Sequence, residues 1–205
     1  PAPRLALAGG FDVIAEIKAT SPAEGALADV ADFDPTARAT AYATGGAAAV
    51  SVLTEPDRFS GALEHLAAAA RVLASHDVPA MRKDFLVDDY QVVEARLAGA
   101  GGVLAIVAML EDAVLANLTA RAIELGLFVL VECFDAEDAA RASRLVDTRP
   151  GTELAEAGQL LVGVNTRDLR TLAVDNERLE RLVDHLPREL PRVAESGLKA
   201  PADAA

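Results

Sequence analysis

Residues 79–108 read PAMRKDFLVDDYQVVEARLAGAGGVLAIVA, and this stretch decides the fold. It opens on a strand-like run, PAMRKDF (79–85), and closes on a second, GVLAIVA (102–108). Between them DDYQVVEARLAGAG has a helical pattern. Asp88 or Asp89 stands at the N-cap, Tyr90, Val93 and Leu97 share one face, and glycines from Gly99 to Gly102 mark the stop. Strand, helix and strand in this order form the repeating unit of a parallel sheet. One feature resists the pattern. A strand covered on both faces should be apolar, because an unpaired buried charge is costly, yet Arg82, Lys83 and Asp84 follow one another here.

The unit recurs in both directions. Further strands are read at DVIAEIK (12–18), AAVSVLT (48–54), FVLVECF (128–134), LLVGVNT (160–166) and PRVAESG (191–197). Helical patterns separate them, with Asp135 and Asp175 opening two and Gly45-Gly46 closing another. The seven strands recur at roughly 25–35 residues, which suits either a (β/α)8 barrel or a doubly wound sheet. A doubly wound sheet often carries a glycine-rich fingerprint after its first strand; here KATSPAEG (18–25) follows instead.

The placement of polar residues favours the barrel. Glu16, Lys18, Lys83, Glu132, Asn165, Arg167 and Glu195 fall at or just beyond the C-terminal ends of five strands. Barrel active sites occupy that face, and several strands contribute to each. Strand side chains alternate between faces. Glu16 shares parity with Ile14 and Lys18, Lys83 with Met81 and Phe85, and Glu132 with Leu130. Asn165 does so with Gly163 and Arg167, and Glu195 with Val193, so one inward set is self-consistent.

Lys83 with Glu16, Glu132 and Glu195 makes an acid–base centre. Carboxylates favour the charged ammonium while burial opposes it. A bland reading, ion pairs that merely close the barrel top, suits a single pair better than a lysine, three glutamates and an asparagine from five strands. Lys18 and Arg167 are inward cations in an acidic chain and point to an anionic ligand. Ser21, Ser196 and Gly197 offer hydroxyl and backbone N–H donors to a phosphate, before a helix start at KAPADAA (199–205). That serine is equally an ordinary helix cap. Phe59, in TEPDRFSG (54–61), is either core or an apolar wall for the ligand. Arg82 and Asp84 have the outward parity and read as a rim ion pair. Cys133 has the parity opposite Glu132 and packs as a small apolar group. His65, His76 and His185 lack ligand spacing and read as surface residues, so no metal site is expected.

Composition narrows the partners. The net charge of −13 argues against nucleic acid and anionic membranes. No uncharged apolar run reaches the ~18 residues of a membrane span, and PAPRLALAGG at the start lacks the signal-peptide pattern. A single cysteine suits a reducing cytoplasm.

Six stretches together resemble the indole-3-glycerol phosphate synthase family: IAEIKATSP, VSVLTEPDRFSGALEHL, MRKDFLVDDYQVVEARLAGAGGVLAIVAML, LVECFD, GVNTRDL and AESGLK. They cover nearly the whole chain in the family's order. The resemblance implies a (β/α)8 barrel in one domain, residues 1–205, that acts in tryptophan biosynthesis without metal or organic cofactor. Its substrate would be 1-(2-carboxyphenylamino)-1-deoxyribulose 5-phosphate, and its products indole-3-glycerol phosphate, CO2 and water. It implies Lys83 as general acid at the ribulose carbonyl and Glu132 as partner in the dehydration. Glu16 and Asn165 would support proton transfer, and Glu195 would hold ribulose hydroxyls or orient Lys83. Lys18 and Arg167 would meet carboxylate or phosphate, Ser21, Ser196 and Gly197 the phosphate, and Phe59 and Phe85 the anthranilate ring.

The chain departs from the family at Ala23 and Glu24, where a serine and a lysine are usual. Only about ten residues precede the first strand, and the eighth strand is expected to be missing, leaving the barrel incomplete at its C-terminus with two unpaired edges. A monomer or weak oligomer is expected, associated with other tryptophan-pathway enzymes. The alternatives are an isomerase of phosphoribosyl anthranilate, a Schiff-base aldolase using Lys83, and a non-catalytic binding or assembly module.

Overall fold

The computed structural model describes residues 2–23, 25–27 and 33–197. Seven parallel strands form one curled sheet: β1 (Ile14–Ile17), β4 (Ala49–Leu53), β5 (Ala80–Lys83), β6 (Gly102–Ile106), β7 (Phe128–Cys133), β8 (Leu160–Asn165) and β9 (Arg192–Glu195), side by side in that order. Every neighbouring pair is parallel. Helices α1 (Pro35–Thr44), α3 (Leu63–Leu73), α4 (Tyr90–Leu97), α5 (Asp112–Glu124), α6 (Ala136–Val146), α7 (Arg149–Glu156) and α8 (Glu177–Leu182) run between strands, as does the single turn α2 (Pro56–Phe59). A small antiparallel hairpin, β2 (Thr20–Ser21) with β3 (Gly25–Ala26), lies in the first loop. Each of its strands is two residues long, too short to leave a periodic signal in the sequence. Among the described residues no helix is long and apolar enough to cross a membrane.

Alternation along the strands sorts the core into two parts. Outward residues such as Val50, Val52, Val103, Ala105, Val129, Val131, Val162 and Val164 pack with helix residues Leu66, Leu73, Leu115 and Leu118. Inward residues Ala49, Met81, Leu104, Ile106, Phe128, Leu130 and Leu161 fill the lumen. Leu5 joins this inner group, and its carbonyl accepts from Gln159 Nε2 at 3.1 Å, so the segment before β1 seals the N-terminal end. The inner face is thus apolar at the bottom of the strands and turns polar at their C-terminal ends, which confines the chemistry to one rim.

Several local expectations need correction. Helix α4 buries Val92 and Ala95, while Tyr90 and Leu97 are 65% and 83% exposed. The Tyr90–Val93–Leu97 stripe is therefore not the packed side. The small Ala95 lets the helix lie close to the sheet, and Asp89 turns to Arg121 on α5 at 3.2 Å. Asp135 caps α6 as expected, accepting from Asp138 N at 2.9 Å. At α8 the cap position is Asn176, and Asp175 instead pairs with Arg181. Gly99 closes α4 at φ +92°. Gly102 is no stop: it begins β6 opposite Phe128, where a Cβ would meet the ring at 2.3 Å. The helix start expected at KAPADAA and residue Glu24 lie outside the described residues.

Candidate active site

Lys83 ends β5, and parity turns its side chain inward over Met81. The sheet curls far enough for three other strands to meet it. Its Nζ lies 3.4 Å from Glu195 Oε2 on β9, 3.7 Å from Glu132 Oε2 on β7 and 3.9 Å from Glu16 Oε2 on β1. Only the first distance is a hydrogen bond, so the ammonium is shared among carboxylates rather than locked to one. Glu16 Oε1 also accepts from Lys18 Nζ at 2.6 Å.

Burial sets the electrostatics. Desolvation is the largest influence on Lys83 and disfavours its charge, but Glu195, Glu132 and Glu16 together outweigh it. The ammonium is held above lysine's ordinary range and stays protonated. For Glu195 burial is again largest, and the neighbouring Glu132 adds to it, so the carboxyl is pushed well above the usual glutamate range despite Lys83. Glu132 is 1% exposed. Glu132 Oε2 and Glu195 Oε1 are buried without a hydrogen-bond partner. Such groups are costly unless a proton or a ligand satisfies them. Gly163 makes room for this crowding, because a Cβ there would stand 2.2 Å from Glu195 Oε1.

The rest of the rim comes from the following loops. Asn165 closes β8; its Oδ1 accepts from Arg167 N at 2.9 Å and its carbonyl from Arg178 Nη1 at 2.8 Å. The Arg178 guanidinium lies 6.0 Å from the centroid of the Phe134 ring. Arg167 Nη1 donates to the Leu172 carbonyl at 3.2 Å. Ser196 and Gly197 follow β9 with φ of +65° and +75°, turning the backbone sharply beside the rim. Ser21 is buried on β2, where its hydroxyl accepts from Ala23 N at 3.3 Å. Phe59 ends α2, whose first amides are held by the Glu55 carboxylate.

One cavity of about 420 Å³ lies among these groups. Its lining includes each of the twelve residues singled out from the sequence: Glu16, Lys18, Ser21, Phe59, Lys83, Phe85, Glu132, Asn165, Arg167, Glu195, Ser196 and Gly197. A second recess of about 330 Å³ opens beside it between Phe59, Phe85, Met109, Leu169 and Leu172. The lining thus brings two cations, Lys18 and Arg167, and the apolar surface of Phe59, Phe85, Leu169 and Leu172 to the acid–base groups. Among the described residues no His, Cys, Asp and Glu group is arranged as a metal centre.

Sequence reasoning missed four contributors. Gly163 carried a signal, since an isolated glycine in a strand marks a close approach. Arg178 and the loop residues Leu169 and Leu172 carried none, because their roles depend on how the β8–α8 loop folds back. The expected Arg82–Asp84 pair exists, at 3.0 Å, with Asp84 half-buried at the cavity border and Arg82 buried beneath it. Cys133 lies in the outer core, its thiol pushed up first by burial and then by Asp138. His65 is half-buried against the Phe33 ring, 5.1 Å between centroids, whereas His76 and His185 are exposed.

A family model described as indole-3-glycerol phosphate synthase matches residues 5–205. An indole-3-glycerol phosphate synthase from a Nocardioides species is 48% identical over 198 residues, covering 97% of this chain and 70% of that protein. One from a Parafrankia species is 47% identical, covering 99% and 71%, and one from Rhodococcus opacus is 45% identical, covering 95% and 66%. The chain therefore spans about two thirds of the length of these relatives. Phosphoribosyl anthranilate isomerase from Thermotoga maritima aligns at 13% identity with a TM-score of 0.49, a likeness too distant to decide among barrel chemistries.

Proposed function

The chain belongs to the indole-3-glycerol phosphate synthase family, and from that premise we propose that its cavity closes the indole ring of 1-(2-carboxyphenylamino)-1-deoxyribulose 5-phosphate. The reaction is a decarboxylating carbon–carbon lyase step of tryptophan biosynthesis. The observation that carries the proposal is the Lys83 ammonium among the carboxylates of Glu16, Glu132 and Glu195, in a cavity that also holds Lys18, Arg167, Phe59 and Phe85.

The aryl ring lies against Phe59 and Phe85, and the recess beside them suits its apolar face. Lys18 and Arg167 face the carboxylate and phosphate charges, with Ser21, Ser196 and Gly197 as further phosphate donors. The ring carbon bearing the carboxylate attacks the ribulose carbonyl carbon, and Lys83 protonates the carbonyl oxygen as it becomes a hydroxyl. Breaking the bond to the carboxylate releases CO2 and returns the electron pair to the ring, restoring aromaticity. The new hydroxyl then leaves as water while a proton is lost from the adjoining carbon. That step needs an acid and a base together. Glu132 and Glu195, buried side by side with Glu195 raised, suit a pair that holds one proton between two carboxylates. Glu16 keeps Lys18 and Lys83 in place, and Asn165 positions the substrate's polar groups.

The curled sheet is read as a (β/α)8-type barrel in a single domain. The single cysteine suits a reducing cytoplasm. Incubating the protein with the carboxyphenylamino substrate and following indole emission tests the proposal. Turnover is expected. Tight product binding without turnover would favour a binding module, and a borohydride-trapped adduct on Lys83 would favour Schiff-base chemistry.

A further inference from the structure

Lys83 is flanked by two charged residues that pair with each other: Arg82, turned to the helix side, and Asp84, at the cavity border. Arg82 is 5% exposed, and its guanidinium donates in three directions. Nε reaches Thr54 Oγ1 at 3.1 Å and Nη2 reaches Asp84 Oδ2 at 3.0 Å. Nη1 reaches the Gln91 carbonyl at 2.9 Å and Glu94 Oε2 at 3.2 Å, both on α4. Thr54 Oγ1 in turn donates to Asp84 Oδ2 at 2.5 Å, so Thr54, Arg82 and Asp84 close a ring of hydrogen bonds outside the strand ends. Two further bonds tie this ring to the cavity side. Thr54 N donates to the Lys83 carbonyl at 3.1 Å, and Phe85 N donates to Asp84 Oδ1 at 2.8 Å.

We propose that Thr54, Arg82 and Asp84 form a positioning bracket that fixes the backbone from which Lys83 and Phe85 project into the cavity. This deepens the reading of Lys83 as the acid and rests on it. A lysine side chain has four rotatable bonds, so its head group is placed well only if its Cα is immobile. Strand alternation supplies the means: Arg82 grips the helix side while Lys83 and Phe85 face the ligand, and Asp84, at the cavity border, joins the two sides. The bracket joins β4, β5 and α4, and so fixes where the Lys83 head group meets the substrate carbonyl beside Glu195. Buried charged networks of this kind rigidify when every member is satisfied. Misplacing a reacting group by about 1 Å costs on the order of a hundredfold in rate.

Thr54 is the residue to change, because it does not border the cavity and any effect must travel through the bracket. Thr54→Val removes the hydroxyl and keeps the shape; Thr54→Ser restores the hydroxyl. Expected are a kcat loss of about tenfold to a hundredfold in Thr54→Val, a KM within about threefold, and recovery to within about threefold in Thr54→Ser. Crystal structures of the wild type and both variants supply a readout independent of turnover. The Lys83 head group and the Phe85 ring should move in Thr54→Val and return in Thr54→Ser. An unmoved Lys83 and Phe85 in Thr54→Val, or loss of kcat to the same extent in both variants, would overturn the bracket. A wild type without turnover would instead overturn the functional reading, leaving the coordinates to judge the bracket. Should Thr54→Val fail to fold, Thr54→Ala is measured by the same criteria, since it too removes the hydroxyl that joins Arg82 to Asp84.

Discussion

Lys83 Nζ stands 3.4 Å from Glu195 Oε2, although 112 residues separate the two along the chain. The parallel sheet brings them together by curling, so that a strand near one end of the order faces the strand at the other. Glu132 lies close by with one oxygen unpartnered. In the proposed reaction it serves the dehydration, which follows substrate binding. Glu132→Gln should therefore lower kcat by about a hundredfold or more while product affinity stays within about threefold. Steady-state kinetics with calorimetric product binding reads both, and weaker binding at unchanged kcat would recast Glu132 as a binding residue.

The raised Glu195 makes stability depend on pH. Between the ordinary glutamate value of 4.5 and its higher folded midpoint, the folded protein holds a proton that the unfolded chain has released. Stability from this group is complete below the lower value and is lost as pH rises through the folded midpoint. Glu195→Gln removes that slope. Urea midpoints from pH 4 upward should fall for the wild type across this window and run flatter for the variant; parallel curves would count against the shift. Lys83 acts at the other extreme, since its raised ammonium keeps contributing at pH 10.5 and is lost only above that.

Gly163 tests the crowding directly. A Cβ at this position would lie 2.2 Å from Glu195 Oε1, so Gly163→Ala must displace the carboxylate or the strand. Overpacking of this kind costs about 1–3 kcal/mol. The variant should still fold, with turnover reduced about tenfold or more. Thermal melting and kinetics together check it, and wild-type turnover would show that Glu195 need not sit where it does.

Phe85 and Phe59 are proposed to wall the aryl ring. Phe85→Leu keeps an apolar surface and loses the stacking face, worth about 0.5–1.5 kcal/mol beyond area. KM should rise about threefold to tenfold with kcat little changed. A fall in kcat alone would place the ring elsewhere.

Much of this was legible in the sequence because strand side chains alternate. Glu16, Lys83, Glu132, Asn165 and Glu195 share parity with Ile14, Met81, Leu130 and Val193, which makes one self-consistent face, and the structure shows that this face lines the cavity. The family resemblance rested on stretches that match a family model over residues 5–205. What escaped was whatever depended on packing. The face of α4 was misread because Val92 and Ala95 are smaller than Tyr90 and Leu97, and a close-lying helix selects size over hydrophobicity. The burial of Arg82 in its pair with Asp84 escaped because sequence shows parity but not depth. Arg178 reaches Asn165 only through the fold of the loop after β8.

The claim on which the account turns is that the Lys83 ammonium delivers the proton that drives ring closure. Single-turnover indole emission from the carboxyphenylamino substrate, compared between wild type and Lys83→Met, tests it most directly. The account predicts a rate loss of about a hundredfold to ten-thousandfold, with the variant still folded and still binding product. A Lys83→Met protein that forms indole at close to the wild-type rate would contradict it.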